Sequence, residues 1–88
     1  MGDDETLLEF PCAFSVKAMG ESASDFASLV EGLVAEHVEE PAELSVRTRP
    51  SRAGKFTSVT VTFSATSKAQ LDAIYRSLSA HKRIKMAL

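Results

Sequence analysis

The most constraining feature of the sequence is the stretch from Phe56 to Ala65, where apolar and hydroxyl side chains alternate. Val59, Val61 and Phe63 fall on one side of an extended chain, and serines and threonines occupy the other side. A period of two is typical of a β-strand with one buried face and one solvated face. The chain is therefore expected to form a sheet that is covered on one side only.

Three further segments show the same alternation and are predicted to be strands. They span residues 12–19, 44–49 and 83–88. Gly20 closes the first of them, because a glycine at that point allows the chain to turn. In the last strand, the alternation predicts a buried face formed by Ile84, Met86 and Leu88.

Two segments between the strands place apolar residues at helical spacing. Ser22 and Ser24 are the candidate N-caps of the first helix, and Gly32 inside it indicates a close approach of a neighbouring backbone. Ser67 and Gln70 form a capping box at the start of the second helix. Each helix therefore has an apolar stripe that it must bury.

The order of the predicted elements is β-α-β-β-α-β. Two helices with one apolar stripe each, and four strands with one apolar face each, predict an α+β fold. This is the ferredoxin-like two-layer sandwich, with a four-stranded antiparallel sheet and both helices on one face. Right-handed crossovers place the first and third strands at the centre of the sheet. The predicted core between the layers consists of Val16, Leu29, Leu33, Val61, Phe63, Leu71, Ile74 and Ile84.

The 88 residues are enough for one domain, and the formal net charge of -2 gives no general attraction to nucleic acid or anionic membranes. Residues 1–6 form an acidic leader that we expect to be mobile, and residues 7–88 form the domain. Cys12 is the one cysteine and cannot form an internal disulfide. The acidic N-terminus is unlike a secretory signal, and no apolar run approaches the roughly 20 residues of a membrane span. We therefore expect a cytoplasmic protein with no membrane segment.

No catalytic or metal-binding constellation is apparent in the sequence. Gly54 and Lys55 lack the remaining residues of a phosphate-binding loop, and Ser79 with Lys82 lacks the partner motifs of penicillin-binding enzymes. The softest potential metal ligands lack the spacing of a metal site: Cys12, His37 and His81. The sequence thus predicts a protein that is not an enzyme and has neither a metal nor a cofactor.

Four short segments together carry a family resemblance. They are Leu-Leu-Glu-Phe-Pro at 7–11, Lys-Ala-Met-Gly at 17–20, the stretch 49–59 from Arg-Pro-Ser through glycine to Ser-Val, and Ile-Lys-Met-Ala-Leu at 84–88. With these spacings, residues 7–88 closely resemble the YbeD-like family of small bacterial proteins of unknown function. The resemblance implies a ferredoxin-like fold similar to ACT-type regulatory domains, which bind amino acids or other small effectors. Isolated domains of that type often pair, so a homodimer is compatible with the resemblance.

The segment formed by Met19, Gly20, Glu21 and Ser22 is the first candidate binding site. It leads into a predicted helix N-terminus, whose free backbone N–H groups can hold an anion. In the ACT-type domains that the family resembles, the effector pocket lies near this turn. The alternative is that Gly20 only allows the turn and that the serines only cap the helix.

The solvated face of the sheet is the second candidate site, because the strand alternation gathers five cations and no acid on it. These are Lys17, Arg47, Arg49, Arg83 and Lys85. Such a face could bind a nucleic acid, an acidic protein or a phosphorylated metabolite. Alternatively, the cations only prevent edge-to-edge aggregation of the sheet.

Nucleic acid is the less favoured ligand of this face. RNA-recognition domains of the same topology stack bases on aromatic side chains of the first and third strands, and here Phe56 alone could serve. The sequence therefore predicts a non-enzymatic regulatory or adaptor domain that binds a small effector or a protein partner. Binding of a nucleic acid or another polyanion through the basic face is the alternative.

Overall fold

A computed structural model of the protein describes residues 9–40 and 43–88. Its elements are, in chain order, β1 (Cys12–Glu21), α1 (Phe26–Ala35), β2 (Ser45–Pro50), β3 (Phe56–Ala65), α2 (Lys68–Ala80) and β4 (Met86–Ala87). The strands form one antiparallel sheet in the order β2-β3-β1-β4. The predicted ferredoxin-like arrangement, with the first and third strands at the centre, is confirmed. The predicted acidic leader, residues 1–6, lies outside the described residues.

The core lies between the sheet and the two helices. It includes the inward side chains of β1 and β3, which pair from Cys12 opposite Ala65 to Glu21 opposite Phe56. Among the described residues, every buried side chain of this core is apolar. The predicted core residues on the sheet and on α2 are all buried, namely Val16, Val61, Phe63, Leu71, Ile74 and Ile84.

The two residues of helix α1 that were predicted for the core are not the ones that it buries most deeply. The residues that it buries are Phe26, Val30 and Val34. Leu29 and Leu33 are only half-buried at the margin of the core, because the Phe26 ring lies against Gly20 of β1 and this contact sets the rotation of the helix. Both lines of residues have helical spacing, so periodicity alone could not choose between them. Gly32 is exposed and has open space around it, so the predicted close approach of another backbone is wrong.

Helix α1 begins later than predicted, because β1 continues to Glu21. Its N-cap residue is Asp25, whose side chain makes no capping hydrogen bond. The Asp25 carboxylate instead accepts hydrogen bonds from the Arg83 guanidinium at 2.8 and 3.1 Å. The predicted caps at Ser22 and Ser24 are therefore wrong.

Helix α2 begins at the predicted cap. Ser67 Oγ accepts a hydrogen bond from the Gln70 N–H at 3.0 Å. The Gln70 side chain then accepts from the Thr66 N–H and donates to the carbonyl oxygen of His37, just beyond the end of α1. His37 Nε2 lies 2.8 Å from Ser77 Oγ, so hydrogen bonds hold the end of α1 against α2. Neither these helices nor any other helix within 9–40 and 43–88 is long and apolar enough to cross a membrane.

Strand β4 is only two residues long, and its alternation is opposite to the prediction. Ala87 lies opposite Ala18 and packs against the core, whereas Met86 lies opposite Met19 and faces the solvent. Ile84 is buried, but the regular strand begins two residues later. The alternation therefore breaks between Ile84 and Met86, which reverses the side on which the last residues point.

Candidate functional site

The face of the sheet that the helices leave uncovered, hereafter the open face, carries three of the predicted cations in adjacent rows. In one row, Arg47 lies opposite Thr60, which in turn lies opposite Lys17. In the next row, Arg49 lies opposite Ser58. A further row consists of hydroxyls: Ser45, Thr62 and Ser15. All three cations are exposed, so this part of the open face is positive and rich in hydroxyl groups.

Of the other two predicted cations, Arg83 does not lie on the open face. Arg83 turns towards the start of α1, where it binds Asp25 and lies 6.0 Å from the centre of the Phe26 ring. Lys85 is exposed and donates its backbone N–H to Met19 O at 2.7 Å, immediately before β4. The prediction was wrong for Arg83, because it assumed a regular strand from residue 83 onwards, whereas β4 begins at Met86.

The ion pair of Asp25 and Arg83 joins the start of α1 to the segment before β4. The hydrogen bonds from Arg83 hold the pKa of the Asp25 carboxyl below its ordinary value, and the same bonds raise the pKa of the guanidinium. Both side chains remain accessible to water, so solvent screens the pair. Its role is to connect two chain segments and it does not create a buried charged site.

The open face also carries exposed apolar side chains that the alternation pattern predicts to be buried. Met86 is 51% exposed and Leu88 is 63% exposed. Met86 lies opposite the half-buried Met19, and Leu88 exchanges two backbone hydrogen bonds with Lys17, at 2.8 and 2.9 Å. Leu88 is thus an immediate neighbour of Lys17, whereas Arg47 and Arg49 lie on the same face at the opposite edge of the sheet. Sequence reasoning missed them because no glycine or proline marks the break after Ile84.

The predicted turn site at residues 19–22 belongs to strand β1 as far as Glu21. Gly20 is buried beneath helix α1. A Cβ atom at this position would lie 2.6 Å from the Phe26 ring and closer still to the carbonyl oxygen of Arg83. Gly20 is therefore closed off from any ligand, and its lack of a side chain is needed for packing.

Ser22 is the other end of this predicted site, and its polar groups already have partners. Its N–H donates to Lys55 O at 2.9 Å, and its Oγ lies 2.7 Å from Thr57 Oγ1. Beside it lies a shallow depression of about 180 Å³. The residues lining it are Glu21, Ser22, Ala23, Lys82, Arg83 and Lys85. This volume is below the roughly 300–1,000 Å³ of typical small-molecule sites.

The potential metal ligands lie apart from one another. Within the part of the chain that the structure describes, no group of three His, Cys, Asp or Glu side chains could hold a metal ion. His81 Nδ1 accepts a hydrogen bond from the Arg83 N–H at 3.2 Å, and Cys12 is a half-buried free cysteine on β1. The histidines thus have local structural partners.

A family model described as a protein of unknown function (DUF493) matches residues 5–88. The chain belongs to the DUF493 family. The UPF0250 protein of Paraburkholderia phytofirmans is 45% identical over 97% of this chain and 96% of its own. The UPF0250 protein of Chromobacterium violaceum is 44% identical over 100% of both chains. The resemblance to the YbeD-like family of small bacterial proteins is thereby confirmed.

The DUF493 domain described here is also similar to a solved structure, the solution structure of protein HP0495 from H. pylori. The TM-score is 0.67 at 15% sequence identity, over 92% of this chain and 85% of that chain. At this identity the likeness shows the fold alone. It supports the ferredoxin-like architecture and carries no information on the ligand of the open face.

Proposed function

We propose that the protein is a non-enzymatic adaptor that binds a protein partner through the open face of its sheet. The observation that carries the proposal is the exposure of Met86 and Leu88 on the same face as the cations, with Leu88 beside Lys17. Methionine and arginine are enriched in protein–protein interfaces relative to the rest of the surface. Because Cys12 is the one cysteine of the chain, we place this role in the reducing cytoplasm.

A small effector is the less supported ligand. The depression beside Ser22 is about 180 Å³, and Glu21 lies among the cations that line it. A second depression of about 190 Å³ has three glutamates in its lining. Cavities of this size and mixed or acidic lining offer little enclosure for an anionic metabolite.

Nucleic acid remains the alternative ligand of the open face, because Lys17, Arg47 and Arg49 lie in adjacent rows. Three phosphate contacts would give a salt slope of about -2 to -3, which is small for a specific complex. Phe56 is the aromatic residue of β3 on this face, but it lies opposite Glu21, whose charge disfavours a polyanion there. We therefore favour a protein partner.

The test is site-specific photo-crosslinking in living cells. A photoreactive phenylalanine analogue at Thr60, in the middle of the open face, should crosslink to a discrete polypeptide. The same analogue at Arg76, exposed on the outer side of α2, is the matched control and should not. Replacing Met86 and Leu88 by Ser should abolish the crosslink from Thr60.

Two results would contradict the adaptor function. Equal crosslinking from Thr60 and Arg76 would mean that the open face has no selective partner. Loss of the Thr60 adduct on nuclease treatment, together with binding that weakens steeply with salt, would favour the polyanion alternative.

A further inference from the structure

Among the residues that the structure describes, the backbone groups at the outer edge of β2 have no partner, and the register identifies them. Lys17 exchanges its N–H and C=O with Leu88, so its peptide groups point towards β4. Antiparallel strands direct the groups of successive residues to opposite sides. Thr60 lies opposite Lys17, so its backbone groups point away from β1 and towards β2, where they meet those of Arg47. The backbone groups of Val46 and Thr48, on either side of Arg47, therefore point away from the sheet. Two residues of β2 thus offer both a donor and an acceptor at the free edge.

Strand β2 also has exposed side chains on both of its faces. All six of its residues are exposed. On the helix side, Val46 is 36% exposed, at the margin of the layer that α1 covers. On the open face, Arg47 and Arg49 form no ion pair within residues 9–40 and 43–88. The strand therefore presents an apolar side chain on one face and two cations on the other.

We propose that β2 pairs with an extended segment of the protein partner in which acidic and apolar residues alternate. The segment would form backbone hydrogen bonds with Val46 and Thr48 and thus add a fifth strand to the sheet. Because side chains alternate along a strand, its acids would lie beside Arg47 and Arg49 while its apolar residues cover Val46. This inference rests on the proposed adaptor function and names the chemistry of the partner.

The charges of β2 select against a second copy of this chain as the occupant. If two copies of β2 paired in antiparallel fashion, each residue whose backbone groups point out of the sheet would have to lie opposite another such residue. The two registers that overlap most of β2 are therefore centred on Arg47 and on Thr48. The first places Arg47 against Arg47, and the second places Arg47 against Arg49, and like charges directly opposite are destabilising. The cations that prevent self-pairing are the ones that favour an acidic strand.

The probe is a blocked eight-residue peptide that alternates Glu and Val. Two controls are a peptide of four Glu followed by four Val, and a peptide that alternates Lys and Val. Binding is followed by NMR titration and by amide hydrogen exchange. The alternating Glu–Val peptide should bind and slow the exchange of the Val46 and Thr48 amides, and neither control should do so.

Thr48→Pro tests the backbone contact directly, because it removes an outward N–H and leaves the bonds between β2 and β3 in place. It should weaken peptide binding at least tenfold, while the matched Thr48→Ala, which retains the N–H, should not. Reversing both charges with Arg47→Glu and Arg49→Glu should transfer the preference to the Lys–Val peptide. Arg76→Glu on α2 is the charge control and should change neither preference. Unfolding midpoints of all variants establish that each is folded.

Three results with the peptides would overturn the proposal. The first is that the alternating Glu–Val peptide does not bind at concentrations up to about 1 mM. The second is that the peptide of four Glu followed by four Val binds equally well. The third is that Thr48→Pro leaves the binding of the alternating peptide unchanged. Concentration-dependent protection of Val46 in the free protein would make a second copy the occupant and overturn it as well. If these experiments rule out strand addition at β2 while the Thr60 crosslink still depends on Met86 and Leu88, the adaptor function stands without strand addition.

Discussion

Gly20 and Gly32 provide a matched pair of Gly→Ala substitutions with opposite expected effects on stability. Gly20 lies inside β1 beneath helix α1, and an added Cβ would be 2.6 Å from the Phe26 ring and closer still to the Arg83 carbonyl oxygen. Gly32 lies on the exposed side of α1, where an added Cβ would meet no atom within 4 Å. Both substitutions add one methyl group, so the difference between them isolates the local packing.

The magnitudes follow from the two environments. The Arg83 oxygen belongs to the backbone and cannot rotate away, and the Phe26 ring is buried in the core. Overpacking of this kind typically costs about 1–3 kcal/mol. At Gly32 alanine removes the entropic disadvantage of glycine in a helix, which contributes about 0.5–1 kcal/mol of stability. We therefore expect Gly20→Ala to be destabilising and Gly32→Ala to be stabilising.

The measurement is the midpoint of thermal unfolding, with urea unfolding as the check on the free energy. In a domain of this size, 1 kcal/mol corresponds to about 4–8 °C in Tm. An unchanged or raised midpoint for Gly20→Ala would refute the packing argument. A lowered midpoint for Gly32→Ala would refute the claim of open space. Because Gly20 variants report on folding, they cannot serve as tests of ligand binding at residues 19–22.

Three further changes test the core, the second helix and the surface ion pair. Phe63→Ala should lower the free energy of unfolding in urea by about 3–5 kcal/mol, because the ring is 4% exposed and central to the core. Ser67→Ala should cost about 1 kcal/mol through loss of the α2 cap, whereas Ser24→Ala should leave the thermal midpoint nearly unchanged. Arg83 lowers the pKa of Asp25 in the folded protein from the ordinary 3.8. The stability from this pair is therefore complete above that value and is lost as the pH falls through the lowered pKa. The difference in midpoint between the protein and Asp25→Asn should shrink accordingly in acid.

The parts of the fold that the sequence predicts correctly are those set by local patterns. The alternation of β3 and the cap at Ser67 depend on residues close together in the chain. The errors arise where distant segments meet. The extension of β1 past Gly20 depends on its pairing with β3 as far as Phe56, and the rotation of α1 depends on the contact between Gly20 and Phe26. No local pattern encodes either.

The candidate site divides in the same way. Lys17, Arg47 and Arg49 lie on the open face because they occupy regular strands, in which alternation determines the side. The positions of Arg83 and Lys85 depend on where β4 becomes regular. The pairing of β4 with β1 decides that point, and it lies outside the reach of a periodicity argument.

The residues that break the local pattern are also the ones that the proposed function uses. A chain of this size buries only about 60–68% of the surface that it exposes when unfolded, so unused apolar side chains are costly. Met86 and Leu88 nevertheless face solvent, while the alanine between them packs against the core. Natural sequences depart from consistency between local pattern and packing mainly at functional sites. In the proposed function, one partner covers the exposed Met86 and Leu88 and extends across the open face to β2 at the opposite edge of the sheet, where self-pairing would place arginines opposite each other.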